Sequence, residues 1–355
     1  MTFSLSFASD NWAGASDRVM EALGEANEGQ ARSYGSDSWT GRANDLLSDF
    51  FERDVAAFLV STGSAANSLA LASFAKPGGV VICHEDAHIV RDEAGAPLLF
   101  SPGTGMDTVD GPRGCITTDA LAKRFADYPA GVVHYGQPSV VSIANVNEIG
   151  QCYSVSDLLE IGALARRHGC SFHMDGARFM NALAHTGAAP ADLTWRAGVD
   201  VLSFGLTKTG AWCAEVVVYF DPAKRAEIGY RHKQAAQLFS KNRFAAAQVV
   251  ALLSDDHALD LARHANKMGA AIADLLRAHP EAELLYEPQS NEVFAYLSPA
   301  VRKRLDDARI IVAPWQSRSA HLPKPAAPDW ALCRLVASFR TTPDDVARLA
   351  QAFGN

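Results

Sequence analysis

The stretch AGVDVLSFGLTKTG, residues 197–210, sets an apolar run directly against a charged side chain. Ala197 to Phe204 read as a buried strand. Lys208 follows between two threonines, and Gly210 closes a tight turn. An ammonium ion is poorly solvated at such a strand end. Lys208 is therefore either a surface residue at a helix start or an amine that reacts.

On both sides of this turn the same alternation recurs. Val80–His84, Ser139–Asn145, Cys170–Asp175 and Glu215–Phe220 read as further strands. Helical patterns separate them, at Ser64–Lys76 and at Ser154–Gly169. The second has a serine cap, an early acid and late Arg166 and Arg167, a polarity that suits the helix dipole. Continuous apolar strands separated by helices predict an α/β fold with a mostly parallel sheet flanked by helices. From Pro222 to about Pro280 the text reads as Ala-rich helix. After Glu281 come short strand candidates and a last helix at TTPDD, residues 341–345. We expect an N-terminal arm (1–25), a large α/β domain (26–254) and a small α+β domain (255–355). The Pro-rich stretch Pro314–Trp330 reads as a surface loop near the site.

The bulk properties exclude several classes. The chain has 355 residues, 48% of them hydrophobic and 20% charged, with a net charge of −8. This balance gives no basic footprint for nucleic acid and no Lys/Arg block for a membrane surface. The start, MTFSLSFASDNW, lacks a basic segment followed by a long apolar one, so no signal peptide is expected. Six scattered cysteines without a CxxC pair suggest a cytoplasmic protein rather than a disulfide frame.

Three short motifs accompany Lys208. Asp175, in HMDGAR (173–178), ends a strand where open α/β sheets bind ligands, although a helix cap reads the same way. In STGSAAN (61–67), Thr62, Gly63 and Ser64 open a helix whose free N–H groups suit a phosphate. In CHEDAHIVRDE (83–93), His84 and His88 have HxxxH spacing, but no third ligand is evident and no metal is expected. A histidine that stacks on a ring is the better reading of His88, with a plain packed histidine as the alternative. A phosphate turn, an acid and a lysine together match pyridoxal phosphate, which needs an amine, a carboxylate near its ring nitrogen and a phosphate cradle.

At this length the motifs are specific. FASDNWAGA, GQARSYGSD, FLVSTGSAANSL, HEDAHIVRDEAGAP, HMDGARFMNALA and LTWRAGVDVLSFGLTKTG resemble the low-specificity L-threonine aldolases, including phenylserine aldolases, of the aspartate-aminotransferase-like superfamily. The resemblance implies a fold type I enzyme that cleaves L-threonine, L-allo-threonine or another 3-hydroxy amino acid to glycine and an aldehyde. It implies Lys208 as the Schiff-base lysine, Asp175 against the pyridine nitrogen and His88 over the ring. Thr62, Gly63 and Ser64 would hold the phosphate, and Ser9, Arg178 and Arg334 the substrate carboxylate. Tyr34 and Arg243 would reach the neighbouring subunit's cofactor in a homodimer or homotetramer. One position departs. Many relatives carry a histidine where this chain has Asn147, which can hydrogen-bond a substrate but cannot take a proton. The base role then falls to His88 or to a water it orients. An aminotransferase or a β-eliminating lyase on the same fold is the alternative.

Overall fold

Strands buried along their whole length dictate the architecture, because a sheet apolar on both faces must be covered on both. The computed structural model describes residues 5–354, so the first four residues of the expected arm lie outside the described part. Its strands are β1 Leu5–Ser6, β2 Ala56–Val60, β3 Gly79–His84, β4 Gly105–Val109, β5 Gln137–Ala144, β6 Ser171–Gly176, β7 Val201–Gly205 and β8 Glu215–Tyr219. They continue with β9 Ala282–Leu284, β10 Glu292–Leu297, β11 Ile310–Ile311, β12 Ala313–Pro314 and β13 Ala331–Val336. The central sheet runs β2-β8-β7-β6-β5-β3-β4, and only β8 is reversed. Every residue of β3, β7 and β8 is buried.

Helix Gly63–Phe74 has no polar face and packs against β7 and β8. Helix Val155–Arg167 carries the capping box that its sequence announces, with Ser154 and Asp157 bonded reciprocally. The expected helical stretch after Pro222 is three helices: Arg225–Gln234, Arg243–Leu253 and His257–Ala278. Positive φ at Ala236 (58°), Asp255 (55°) and Asp256 (55°) breaks it, and helical propensity cannot report that. Strand β4 was not anticipated. It is an edge strand with mostly half-buried residues, so it lacks the continuous apolar run of its neighbours.

The smaller sheet runs β12-β13-β10-β9, all antiparallel. The text RIIVAP splits into two strands, one beside β1 (Leu5↔Ile310) and one beside β13 (Ala313↔Arg334). Helix His257–Ala278 feeds the two largest apolar clusters among the described residues. Ala258 and Ala262 enter the large one, and Met268, Ile272 and Leu276 enter the one shared with Phe7 and β10. No described helix is long and apolar enough to cross a membrane.

Candidate active site

Because β8 alone is reversed, the C-terminal ends of β2, β3, β5, β6 and β7 share one edge of the sheet with the start of β8. A cavity of about 330 Å³ opens there, at the edge where such sheets bind ligands. Two glycines permit the close approach. A Cβ on Gly205 would lie 2.5 Å from Ala177 Cα, and one on Gly176 would lie 2.7 Å from Leu202 Cδ1. The turns carrying Asp175 and Lys208 therefore meet.

Lys208 sits in a short turn, Thr207–Thr209, anchored from below. Glu215 Oε2 accepts the N–H groups of Leu206 (2.6 Å) and Thr207 (3.4 Å). The Lys208 amine lines the cavity with no hydrogen-bond or ion-pair partner among the described residues. Burial, reinforced by the charge of Arg178, pushes its pKa down. A lysine biased toward the neutral amine is a nucleophile, which answers the question posed by the sequence.

Asp175 is held by two donors. Oδ1 accepts the Ala177 N–H (2.9 Å), and Oδ2 accepts Asn67 Nδ2 (2.8 Å). Asn67 Nδ2 also donates to Glu93 Oε1 (2.8 Å), and that oxygen lies 2.8 Å from His88 Nδ1. A buried line thus runs from Asp175 through Asn67 and Glu93 to His88. The Glu93 bond raises the pKa of His88, burial opposes it, and the charge of Asp175 adds to it. His88, Glu93 and Asp175 each present one ligand atom, all within 4.8 Å of one another. His84 is not among them: its Nδ1 accepts the Asp86 N–H (3.2 Å), and its Nε2 faces Asp110 at 3.4 Å. The HxxxH spacing therefore serves two separate places. Glu93→Gln should lower the His88 titration midpoint, read by ring ¹⁵N NMR; an unmoved midpoint would remove Glu93 as its cause.

The start of helix Gly63–Phe74 faces the same space. Thr62 Oγ1 accepts the Ala65 N–H (3.1 Å), whereas Gly63 and Ser64 N–H have no acceptor among the described residues. A Cβ on Gly63 would meet nothing within 4 Å. Thr207 Oγ1, in the same lining, is buried with no hydrogen-bond partner among the described residues. Free N–H groups at the positive end of a helix, beside open space and an unpaired hydroxyl, suit an anion.

Arg178 lines the cavity from behind. It is forked onto Asp10, with Nε to Oδ2 at 2.8 Å and Nη2 to Oδ1 at 3.0 Å, and its Nη1 lies 3.0 Å from Glu292 Oε2. Burial opposes ionisation of Asp10, but Arg178 and Lys208 outweigh it and hold its pKa down to about 2. Arg334 is less committed. It donates to Ala8 O (3.0 Å), lies 3.5 Å from Glu292, stacks on Trp315 at 4.6 Å and leaves Nε unpaired. Ser9 caps the following turn by accepting the Asn11 N–H (3.1 Å), and Asn11 lines the cavity. Pro314–Trp330 is pinned to the sheet edge. Asp86 accepts the Ser317 hydroxyl and Arg318 N–H, and Asp110 accepts the Ser319 hydroxyl (2.6 Å).

Lys208, Asp175, His88, Thr62, Gly63, Ser64, Arg178 and Asn147 thus line one cavity. Tyr34, Arg243, Ser9 and Arg334 are not among the residues that line it. Tyr34 is exposed beneath Lys233, and Arg243 donates to Gly29 O (3.3 Å). Asn147 is present, but its amide is spent on its own loop. Nδ2 donates to Arg113 O (2.9 Å), and Oδ1 accepts the Ile149 and Gln151 N–H groups. Sequence reasoning missed Asn67, Glu93, Glu148 and Glu215. The first two lay inside quoted motifs, and a polar residue on an otherwise apolar helix was the available signal for Asn67.

The family described as Beta-eliminating lyase matches residues 6–300. Over 296 residues the chain is 42% identical to the low specificity L-threonine aldolase of Pseudomonas aeruginosa, covering 83% of this chain and 85% of that one. It is 41% identical over 292 residues to the enzyme of the same description from a Pseudomonas sp., covering 82% and 84%. The solved structure of a threonine aldolase from Leishmania major superposes with a TM-score of 0.88 at 24% identity, over 99% of this chain and 98% of that one.

Proposed function

Because the chain belongs to the Beta-eliminating lyase family and is 42% identical over most of its length to a low specificity L-threonine aldolase, we propose that it is a pyridoxal-phosphate-dependent L-threonine aldolase. It cleaves L-threonine, L-allo-threonine or a related 3-hydroxy amino acid such as phenylserine, reversibly, to glycine and an aldehyde. One observation carries the reading. An unpaired, desolvated lysine amine faces a fixed carboxyl group across a cavity that also receives two free helix N–H groups.

The residues fit the cofactor. Lys208 would hold its aldehyde carbon and Asp175 its ring nitrogen. Gly63 and Ser64 N–H, with the Thr62 and Thr207 hydroxyls, would hold its phosphate, and His88 would cover one face of the ring. When bound, pyridoxal phosphate supplies an electron sink for the carbanion left as the Cα–Cβ bond breaks. The chain does the rest. Arg334 and Arg178, with Ser9, would bind the substrate carboxylate and so would set the orientation of the substrate's Cα–Cβ bond. Glu215 holds the Lys208 turn in place.

Among the described residues, the cradle's own donors are the Gly63 and Ser64 N–H groups and the Thr62 and Thr207 hydroxyls, none of them a cation. This supports a site completed by a second copy, with Tyr34 and Arg243 of a neighbouring subunit at the phosphate in a homodimer or homotetramer. The test is direct. L-threonine, without a keto-acid acceptor, should give glycine and acetaldehyde in equal amounts. Ammonia and a keto acid would assign a β-eliminating lyase, and a requirement for an acceptor would assign an aminotransferase. In the same assay His88→Asn should lose far more cleavage than cofactor affinity; equal loss would make His88 structural.

A further inference from the structure

The loop after β5 carries a carboxyl group that neither the motif reading nor the roles above employ. Glu148 lines the cavity and is half-buried. Its Oε1 accepts the backbone N–H of His88 at 2.8 Å, which fixes the side chain against that wall. Among the described residues no other side chain bonds this carboxyl, its Oε2 is not fully enclosed, and the group borders the cavity. The neighbouring Asn147 amide has no capacity left for a substrate.

We propose that Glu148 is the catalytic residue that takes the proton of the substrate's 3-hydroxyl group during cleavage and returns it during synthesis. The assignment rests on the aldolase reading given above. The step balances: the proton passes to Glu148 Oε2, the O–H electron pair becomes the second bond of the aldehyde carbonyl, and the Cα–Cβ bond breaks. The glycine fragment keeps the electron pair of the broken Cα–Cβ bond and regains a proton from the Lys208 side.

The surrounding charges suit the role. His88, bonded to Glu93, is biased toward its protonated form, which can donate but not accept. Burial first, and then the negative field of Asp175, push the Glu148 carboxyl up to about 7, against the His88 N–H and ring that pull it down. Cys83, Cys115 and Tyr153 also face it, and burial keeps all three protonated and neutral. Glu148 can therefore both take and give a proton near neutral pH, where general acid–base catalysis is most effective.

Glu148→Gln keeps the acceptor for His88 N–H and the side-chain shape but cannot carry the proton. In the cofactor-loaded enzyme, kcat/KM for L-threonine should fall by roughly 100-fold or more and lose its inflection near neutral pH. Exchange of the glycine α-proton with deuterated water, which involves no hydroxyl, should stay within about threefold. The wild type should show an infrared carboxylic-acid band that titrates near neutral pH and is absent from the variant. Cleavage within about threefold of wild type with an unchanged pH profile would overturn the assignment, as would exchange falling as far as cleavage. Failure of the wild type to release glycine would overturn the aldolase reading itself, and the assignment with it.

Discussion

Lys208→Ala should abolish turnover, lowering kcat/KM by roughly 10⁴-fold or more, the scale on which removing a nucleophile acts. It should also end covalent attachment of pyridoxal phosphate to the chain, read as the mass gained after borohydride reduction. Lys208→Arg keeps the charge but has no amine of ordinary basicity, so it should fail equally. A second readout separates loss of function from loss of fold. The folded environment lowers the lysine pKa, so the charged amine is less favourable in the folded chain than in the unfolded one. That cost is present below the ordinary lysine pKa and disappears when the side chain is removed. The cofactor-free alanine variant should therefore melt no lower than cofactor-free wild type at neutral pH. A variant that stays active, or that retains the reduced adduct, would remove Lys208 from its role. A variant that melts much lower would mean that Asp10 and Asp175 depend on its charge more than burial opposes it.

The parts legible in the sequence were those carried by local pattern. Unbroken apolar runs gave β3, β5, β6, β7 and β8, and the Ser154 cap with its trailing arginines gave the helix between β5 and β6. Lys208 and Asp175 stood out because charged residues end buried strands only for a reason. The supporting acids were invisible for the opposite cause. Glu215 opens a strand, Glu93 closes a surface-looking run, and Glu148 follows two asparagine-containing positions, so each has an unremarkable local context. Only the fold brings Glu93 to Asn67, or Glu148 to the His88 N–H. The same holds for Arg178. Its motif position was plain, but Asp10 and Glu292, which neutralise it, arrive from distant segments. The break at Ala236 has a comparable origin. The segment beyond it places Gln237 Oε1 where it accepts the Ser61 N–H (3.0 Å) and hydroxyl (3.0 Å), so a tertiary bond next to the anion cradle offsets the helix lost there.

Asp175→Asn should lower kcat for L-threonine on the order of 10³-fold, the scale for removing one preorganised electrostatic partner from a buried site. The substitution is isosteric, yet it fails on two counts. An amide carries no negative charge to favour a protonated ring nitrogen, so the bound cofactor accepts electrons less readily. The amide also disturbs the line leading to His88. Oδ1 can still accept the Ala177 N–H, but the new Nδ2 then points at Asn67 Nδ2, donor against donor. Turning Asn67 over relieves that clash by giving up its bond to Glu93 Oε1, the oxygen that holds His88 Nδ1. His88 should consequently titrate lower in the variant, since the negative charge of Asp175 helps to raise its pKa. Steady-state kcat and ring ¹⁵N NMR of His88 check the two effects separately. Removing Asn67 alone, as Asn67→Ala, should move the His88 titration but leave most of the rate, because the Asp175 charge stays in place. An Asp175→Asn variant within about tenfold of wild type would mean that the ring nitrogen needs no anion here, and the electron-sink role would lose its protein partner.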